Sequence, residues 1–184
     1  MHSIIHYSHQ LLTEIIQPGD TVIDATCGNG HDTLKLAELV TATGQVYAFD
    51  IQDQAIINTR RKLTDKGIRH VELIHDGHEH IDQYIQDQPI AAAIFNLGYL
   101  PKADHSIITV PDTTITALST LLQSLRKNGR VVLVIYHGHP GGTEEKEQVL
   151  AYCQSLDQKQ FQVLQYQFIN QINLPPFIIA IEKI

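Results

Sequence analysis

A glycine-rich segment, Cys27-Gly28-Asn29-Gly30, joins a run of β-branched residues to a predicted helix. Its two glycines let the backbone come close to a ligand. The helix start that follows offers backbone N–H groups that have no partner within the helix and favour anionic or polar groups. The segment therefore predicts a site for a nucleotide-like cofactor.

Asp24, Asp50 and Asp76 each stand at the predicted end of one of the first three strands. Parallel strands end at one edge of a sheet, where ligands bind in α/β proteins. There Asp50 can accept the ribose hydroxyls of an adenosine, and Asp76 can accept an adenine amino group. Asp24 can order the glycine loop or meet a ligand ammonium. Each aspartate alone would suit a turn or a cap, but together they predict one adenosyl cofactor site.

Two cofactor classes fit this arrangement. Dinucleotide enzymes carry G-x-G-x-x-G, whose third glycine lets the helix and strand pack closely, and Thr33 occupies that place in this chain. Their loop also receives a pyrophosphate anion, whereas this loop carries Asp24, Asn29 and Asp32. An acidic, polar loop better suits a zwitterionic amino acid beside a sulfonium cation. It favours S-adenosyl-L-methionine over NAD.

The segment Asn96-Leu97-Gly98-Tyr99 follows the fourth predicted strand, beside the expected cofactor. A nitrogen that receives a methyl group must present its lone pair, so its hydrogens must be held off the reaction axis. The Asn96 side-chain oxygen and the Leu97 carbonyl can accept those hydrogens, and Tyr99 can stack on a base. The other interpretation is an asparagine turn with Tyr99 packed on a helix.

A second loop, Tyr136-His137-Gly138-His139, follows the fifth predicted strand. An alkylamine must shed a proton before it can react, and His137 and His139 are candidate bases or phosphate donors. Both also suit an ordinary turn. We predict that the catalytic residues are Asn96, Tyr99 and His137, and that the substrate-binding residues are Leu97, Gly98, Tyr136 and His139.

Histidines and acidic residues alternate between positions 75 and 82, a pattern that at first suggests a metal centre. His78 and His80 are two residues apart, which does not put both on one helix face, and Asp76 is already assigned to the cofactor. Cys27 has no partner base at a recognisable spacing. We expect neither a bound metal nor a cysteine nucleophile.

Strand and helix patterns alternate along the chain. Continuous apolar runs at 90–95 and 131–136 are typical of parallel strands buried on both faces. The last two strands have no helix between them, so we expect them to pair antiparallel. The predicted helices cover 3–16, 31–41, 53–67, 78–86, 111–127 and 143–156, and the predicted strands 21–25, 45–51, 71–75, 90–95, 131–136, 161–169 and 177–183. Asp53 is expected to cap the third helix. The order predicts an α/β fold with helices on both faces of a mostly parallel seven-stranded sheet.

Composition sets the outer limits. With 184 residues, of which 43% are hydrophobic, the chain is long enough for one domain, predicted over 1–184. Apolar runs are shorter than the roughly 18 residues of a membrane span, and no signal-peptide pattern is present, so we expect a cytoplasmic protein without membrane contact. The net charge of −7 argues against non-specific coating of nucleic acid, although Arg60-Arg61-Lys62 is a basic stretch.

The segments DATCGNGHDT (24–33), AFDIQ (48–52), NLGYLP (96–101) and YHGHPGG (136–142) resemble those of class I S-adenosylmethionine-dependent methyltransferases. Thr26 stands where the first glycine of their D-x-G-x-G-x-G motif is typical. More narrowly, the chain resembles a small bacterial family known as putative rRNA methylases, now associated with methylation of 5-aminomethyl-2-thiouridine at the tRNA wobble position.

The resemblance implies a Rossmann-like class I methyltransferase fold. It also implies that the glycine loop lies near the methionine moiety, Asp50 and Gln52 at the adenosine, and Asp76 and His78 near the adenine. The predicted cofactor-binding residues are Asp24, Cys27, Gly28, Asn29, Gly30, Asp50, Gln52, Asp76, Gly77 and His78.

The sequence thus predicts transfer of a methyl group from S-adenosylmethionine to a nitrogen on RNA. The expected partner is the tRNA anticodon stem-loop, and homodimerisation is a further expectation. Two alternatives stay open: an rRNA or small-molecule methyltransferase with the same cofactor, and a non-catalytic RNA-binding module.

Overall fold

A computed structural model of the protein describes residues 1–85, 88–98, 109–138 and 140–184. Within these ranges strands and helices alternate as the sequence predicts. The helices are α1 Ile4–Thr13, α2 His31–Val40, α3 Asp53–Asp65, α4 Asp82–Ile85, α5 Pro111–Ser124 and α6 Gly142–Ser155. The strands are β1 Thr21–Asp24, β2 Gln45–Phe49, β3 Val71–Ile74, β4 Ile90–Leu97, β5 Leu125–Ile135, β6 Phe161–Tyr166 and β7 Phe177–Lys183.

The seven strands of the described residues form one sheet in the order β3-β2-β1-β4-β5-β7-β6. Strands β1 to β5 run parallel, with β1 between β2 and β4. Strand β7 is antiparallel to both β5 and β6, which confirms the predicted terminal hairpin. The crossovers reverse direction between β1 and β4, so the carboxyl ends of these two strands are where a ligand is expected.

Helices cover both faces of the sheet. Helices α1 and α2 bury Leu12 and Leu36 against one face, and α3 continues that layer beside α2. Helices α5 and α6 bury Leu118 and Val149 against the other face, together with α4. Strand β4 lies between the two layers and its residues 90–95 are fully buried, which explains their unbroken apolar run.

The boundary between α5 and β5 differs from the prediction. The sequence predicts a helix to residue 127 and a strand from 131, but α5 ends at Ser124 and β5 begins at Leu125. Leu125 pairs with Ile90, and pairing then resumes at Arg130 opposite Ala92, so four residues bulge out of the strand. Asn128 within the bulge has a φ of 60°.

Two smaller features complete the fold. Gln52, not Asp53, is the cap residue of α3, and Asp53 begins the helix. The predicted helix at 78–86 is divided into a single 3₁₀ turn over His78–His80 and the short α4. None of the helices in the described ranges has the length and apolar character that crossing a membrane requires.

Candidate active site

A cavity of about 550 Å³ opens at the carboxyl ends of the parallel strands. This volume is in the range of small-molecule sites. It brings together most of the residues that the sequence predicts for a cofactor and a substrate. The predicted residues in its wall are Cys27, Gly28, Asn29, Asp50, Gln52, Asp76, Gly77, His78, Asn96, Gly98, Tyr136 and His137.

The glycine loop is held against β2 and α3. The Gly28 N–H donates to Asp50 Oδ2 at 2.9 Å, and the Gly28 carbonyl accepts from the Thr59 hydroxyl at 3.0 Å. Gly30 has a φ of +74°, and a Cβ added there would lie 2.8 Å from Thr59 Oγ1. Positive φ and the close approach of α3 together explain why glycine occupies this position.

Asp50 directly follows β2 and lies in the cavity wall. Its Oδ1 accepts the Gln52 N–H at 2.9 Å, while its Oδ2 accepts from Gly28. Burial raises the pKa of this carboxyl above its ordinary value, although the two backbone hydrogen bonds oppose the rise. Each carboxylate oxygen keeps a second acceptor position, so the side chain can still receive a pair of hydroxyls.

Asp76, two residues beyond β3, anchors the neighbouring wall. Its carboxylate accepts from the Gly77 N–H, from His80 Nδ1 and from the Tyr84 hydroxyl, at 2.8, 2.9 and 2.9 Å. The hydrogen bond from His80 is the main cause of a lowered pKa at Asp76. His80 is thereby engaged by the carboxylate, and in the described ranges no three potential metal ligands gather.

His78 is a buried histidine in the same wall, with 8% of its surface exposed. Its Nδ1 lies 3.2 Å from the Ala25 carbonyl, which can only accept, so Nδ1 carries the proton. Burial lowers the pKa of the ring, which favours its neutral form. Nε2 is therefore an acceptor, and it has no hydrogen-bond partner among the residues that the structure describes. It offers a place for a ligand donor such as an adenine amino group.

Asn96, near the end of β4, defines the opposite part of the cavity. Its Nδ2 donates to Asp32 Oδ2 at 2.6 Å, and its backbone N–H donates to Thr26 Oγ1 at 2.7 Å. The Asp32 bond fixes the amide orientation, because a carboxylate can only accept from the NH₂ group. The Asn96 oxygen is left as the acceptor atom of this side chain.

Tyr136 and His137 follow β5 and form the adjoining wall. Tyr136 is partly exposed, and burial together with the charge of Asp32 raises the pKa of its hydroxyl. The ring of His137 is buried and lies edge-on to Phe177, with ring centres 5.7 Å apart. Tyr99 and His139 lie outside the described residues, so their predicted roles stay predictions.

Comparison with known proteins gives this cavity a context. The family described as "Putative rRNA methylase" matches residues 46–182. The chloroplastic tRNA (mnm(5)s(2)U34)-methyltransferase of Arabidopsis thaliana is 37% identical over 187 residues, covering 96% of this chain and 68% of the plant protein.

Two crystal structures share the fold along the whole chain. The "putative rRNA-methylase" from Clostridium thermocellum is 50% identical with a TM-score of 0.98, and the match covers 100% of this chain and 99% of that one. SMU.1697c from Streptococcus mutans, a "putative methyltransferase" in complex with SAH, is 46% identical with a TM-score of 0.93 and the same coverage.

The chain belongs to the putative rRNA methylase family. It is an S-adenosylmethionine-dependent methyltransferase with the class I fold. The residues of this chain fit the cofactor. His78 Nε2 and the Asp50 carboxylate can accept from the donors of an adenosine, and the glycine loop borders the same cavity. The assignment of individual residues to parts of the cofactor remains a prediction.

Three predicted site residues of the methyltransferase lie outside the cavity wall. Asp24 is fully buried, where it accepts from the Thr33 hydroxyl at 2.6 Å and the Thr26 N–H at 3.2 Å. Of its two predicted roles, the geometry supports ordering of the glycine loop. Burial and the neighbouring Asp32 raise the pKa of Asp24 to about 7. Gly30 shapes the turn.

Leu97 is the third such residue. Its carbonyl accepts the Tyr136 N–H at 3.0 Å, which continues the pairing of β4 with β5, and its side chain is buried. The prediction that this carbonyl faces an acceptor nitrogen therefore needs correction. The Leu97 carbonyl lies in the plane of the sheet and points toward the residue that follows β5. Of Asn96 and Leu97, only Asn96 lines the cavity.

Sequence reasoning missed several residues of the wall. Ile51, Thr109 and Leu174 line the cavity, and Leu174 comes from the connection between β6 and β7. Ile51 carries a local signal, because it directly follows Asp50. Leu174 carries none, since only the antiparallel hairpin brings this connection to the mouth of the site. The sequence also does not predict the hydrogen bond between the His9 and Asp32 side chains.

Proposed function

We propose that this methyltransferase methylates the aminomethyl nitrogen of 5-aminomethyl-2-thiouridine at the wobble position of tRNA. The observation that carries the proposal is Asn96, whose amide is oriented by Asp32 so that its oxygen can accept an N–H of the acceptor. Similarity to the Arabidopsis tRNA (mnm(5)s(2)U34)-methyltransferase over 96% of the chain supports the choice of nucleoside.

Bound S-adenosylmethionine supplies an electrophilic methyl group on a sulfonium. The protein contributes mainly alignment and exclusion of water, because methyl transfer from a sulfonium needs little acid–base assistance. Asp50 and Gln52 hold the ribose side of the cofactor, and Asp76, Gly77 and His78 hold the adenine side. Cys27, Gly28 and Asn29 border the methionine end. Asn96 orients the acceptor nitrogen.

The tRNA side of the site rests on Gly98, Tyr136 and His137, with Tyr99 and His139 as further predicted contacts. A wobble base is part of a single-stranded loop, so turning it into a cavity costs little stacking energy. His137 is a candidate base or phosphate donor in this proposal. The net charge of −7 suits a protein that grips one exposed loop.

The test is methyl transfer by the purified protein to tRNA that carries 5-aminomethyl-2-thiouridine, followed by mass analysis of the nucleosides. We expect the modified uridine to gain one methyl group, and Asn96→Ala to lower turnover while leaving SAH binding unchanged. The same tRNA without the aminomethyl group is the control. Transfer to rRNA or to a small amine instead would replace this proposal with an alternative substrate.

We also propose that two copies of the chain associate. Strand β6 is the outer edge of the sheet and exposes Val163 and Leu164. An unpaired strand edge with apolar side chains favours association with another chain. Light scattering coupled to size exclusion gives the mass in solution. We expect the wild-type protein to have twice the mass of one chain, and the double variant Val163→Lys, Leu164→Lys to have the mass of a single chain.

A further inference from the structure

Three side chains from three different elements form a continuous line at the acceptor end of the cavity. His9 on α1 contacts Asp32 in the first turn of α2, with Nε2 and Oδ1 2.5 Å apart. Asp32 Oδ2 in turn accepts from Asn96 Nδ2 on β4 at 2.6 Å. Because a carboxylate can only accept, His9 donates through Nε2, and Asp32 is held from both sides.

Asp32 belongs to the cavity wall, while His9 stands behind it. The Asp32 side chain is 14% exposed and that of His9 27%. His9 also borders a separate shallow depression on the outer surface. The charged and titratable groups that face the pair are Asp24 on β1, Lys62 on α3 and Tyr136 after β5, with His6, Glu14 and Lys35 around His9.

The proposed acceptor must lose a proton before it can react, and Asn96 cannot remove it. An alkylamine is an ammonium at neutral pH, as the ordinary pKa of about 10.4 for a lysine side chain shows. An ammonium has no lone pair with which to attack a methyl group. An amide oxygen can orient it by accepting an N–H, but it is far too weak a base to remove a proton. A carboxylate beside the amide can do both.

We propose that Asp32 receives the acceptor ammonium and takes its proton, and that His9 is a positioning residue that holds Asp32 for this task. The inference rests on the proposed function, because it requires a cationic amine as acceptor. It makes Asp32 a catalytic residue and the determinant of specificity for an aminomethyl group over a neutral substituent.

The step balances within the site. The N–H bond of the ammonium breaks, its electron pair stays on nitrogen, and the proton forms an O–H bond at Asp32 Oδ2. A second N–H donates to the Asn96 oxygen, which leaves the lone pair free. A nitrogen–carbon bond then forms as the sulfur–carbon bond breaks, with the sulfur keeping that electron pair. After the methylated ammonium leaves, Asp32 returns its proton to water.

The decisive variant is Asp32→Asn, which preserves the hydrogen-bond line without a base. The new amide can accept from Asn96 through its oxygen and donate to His9, whose ring then carries its proton on Nδ1. We expect turnover at pH 7 to fall by about 10²-fold or more. The loss should shrink as the pH approaches the pKa of the amine, because a neutral amine no longer needs a base. A loss of the same factor at every pH would overturn the proposal.

Binding gives a readout that is independent of turnover. With SAH present, the wild-type protein should bind an anticodon stem-loop with the aminomethyl group about tenfold more tightly than one without it. Asp32→Asn should lose this preference when both proteins are saturated with SAH. An unchanged preference in the variant would overturn the role of Asp32. Asp53→Asn, an exposed aspartate outside the cavity, is the matched control.

His9 is tested by a conservative pair. Gln can donate an amide N–H to Asp32, so His9→Gln should retain most of the turnover, while His9→Leu should lower it about tenfold with SAH affinity unchanged. Equal losses in both variants would contradict the positioning role. Recovery at high pH in His137→Gln, but not in Asp32→Asn, would assign the proton to His137 instead. Failure of the wild type to methylate aminomethyl-tRNA would overturn the proposed function as well.

Discussion

Asp50 has two tasks at the residue scale, because the same carboxylate closes the glycine loop and faces the cofactor cavity. Asp50→Asn replaces one acceptor oxygen by a donor, which faces either a backbone N–H or the ribose. We expect the affinity for SAH, measured by calorimetry, to fall by about 1–3 kcal/mol. Asp53→Asn three residues later should leave it within about twofold of the wild type. Equal affinity in both variants would remove Asp50 from the site.

Asp24 makes the stability of the ligand-free protein depend on pH. Its folded pKa of about 7 lies above the ordinary value of 3.8, so the folded state binds a proton more tightly than the unfolded chain. The stability from this proton is complete below about pH 4 and is lost as the pH rises through 7. Each unit between the two pKa values corresponds to about 1.4 kcal/mol.

Asp24→Asn should remove this contribution to the pH dependence. Urea unfolding at pH 4.5, 6 and 7.5 measures the free energy of unfolding of the wild type and of Asp24→Asn. The pKa shifts of Asp50 and Asp76 are present in both proteins, so their effects largely cancel in the difference. The gap between their free energies of unfolding should change steadily in favour of the variant as the pH rises. Two parallel curves would show that Asp24 titrates as it does in the unfolded chain.

The sequence predicts which residues approach the site better than it predicts their contacts. Asp50 and Asp76 reach the same cavity because strand ends share one edge of the sheet. Asp24 also ends a strand, but Thr33 supplies a hydroxyl that draws its carboxylate into the protein. The contact of His9 with Asp32 depends on how α1 packs beside α2, which no local pattern reveals.

At the scale of elements, the turn between β1 and α2 depends on how closely α3 approaches it. Gly30 and Gly67 both have positive φ, at +74° and +67°, but a Cβ meets Thr59 at Gly30 and nothing within 4 Å at Gly67. Gly67→Ala should therefore cost only the backbone strain, about 1–2 kcal/mol. Gly30→Ala should cost at least about 1 kcal/mol more, since the turn or α3 must move.

Urea unfolding of the two glycine variants measures these costs, and calorimetry with SAH shows whether the loop still closes. We expect Gly67→Ala to bind SAH as the wild type does and Gly30→Ala to bind it at least tenfold more weakly. Equal destabilisation in the two variants would contradict the contact between the turn and Thr59.

Element order was predictable, while several boundaries were not, and the one between α5 and β5 differs most. Periodicity and glycine positions predict every strand of the sheet and the antiparallel hairpin. The segment 125–130 is polar enough to resemble a helix end followed by a turn. Its pairing with β4 is set by tertiary contacts instead: the Arg126 guanidinium donates to the Ile15 carbonyl and to Asp20, which holds the bulge beneath α1.

At the scale of the whole molecule, net charge limits how the protein can hold the RNA that we propose as its substrate. A chain with a net charge of −7 should contact few phosphates. If two or three are contacted, the Kd for an anticodon stem-loop should rise by only about tenfold between 50 and 200 mM salt. Fluorescence anisotropy measures this slope. A rise of several hundredfold would mean a far larger phosphate interface.

The exposed pair Arg60 and Arg61 on α3 provides the matched test of that interface. Replacing both by Gln should lower the salt slope by about 1.4 if each neutralises one phosphate of a single strand. An unchanged slope would show that the RNA contacts other residues, and that these two arginines are exposed to solvent without a role in RNA binding.

Both thiols of the chain are buried, Cys27 in the glycine loop and Cys153 on α6, and burial raises the pKa of each. Thiolates, which are the reactive form toward peroxide and alkylating agents, are therefore scarce in the folded protein. The enzyme should keep its activity in an oxidising cell or a buffer without reductant. Iodoacetamide labelling then becomes a direct count of molecules that have lost their fold.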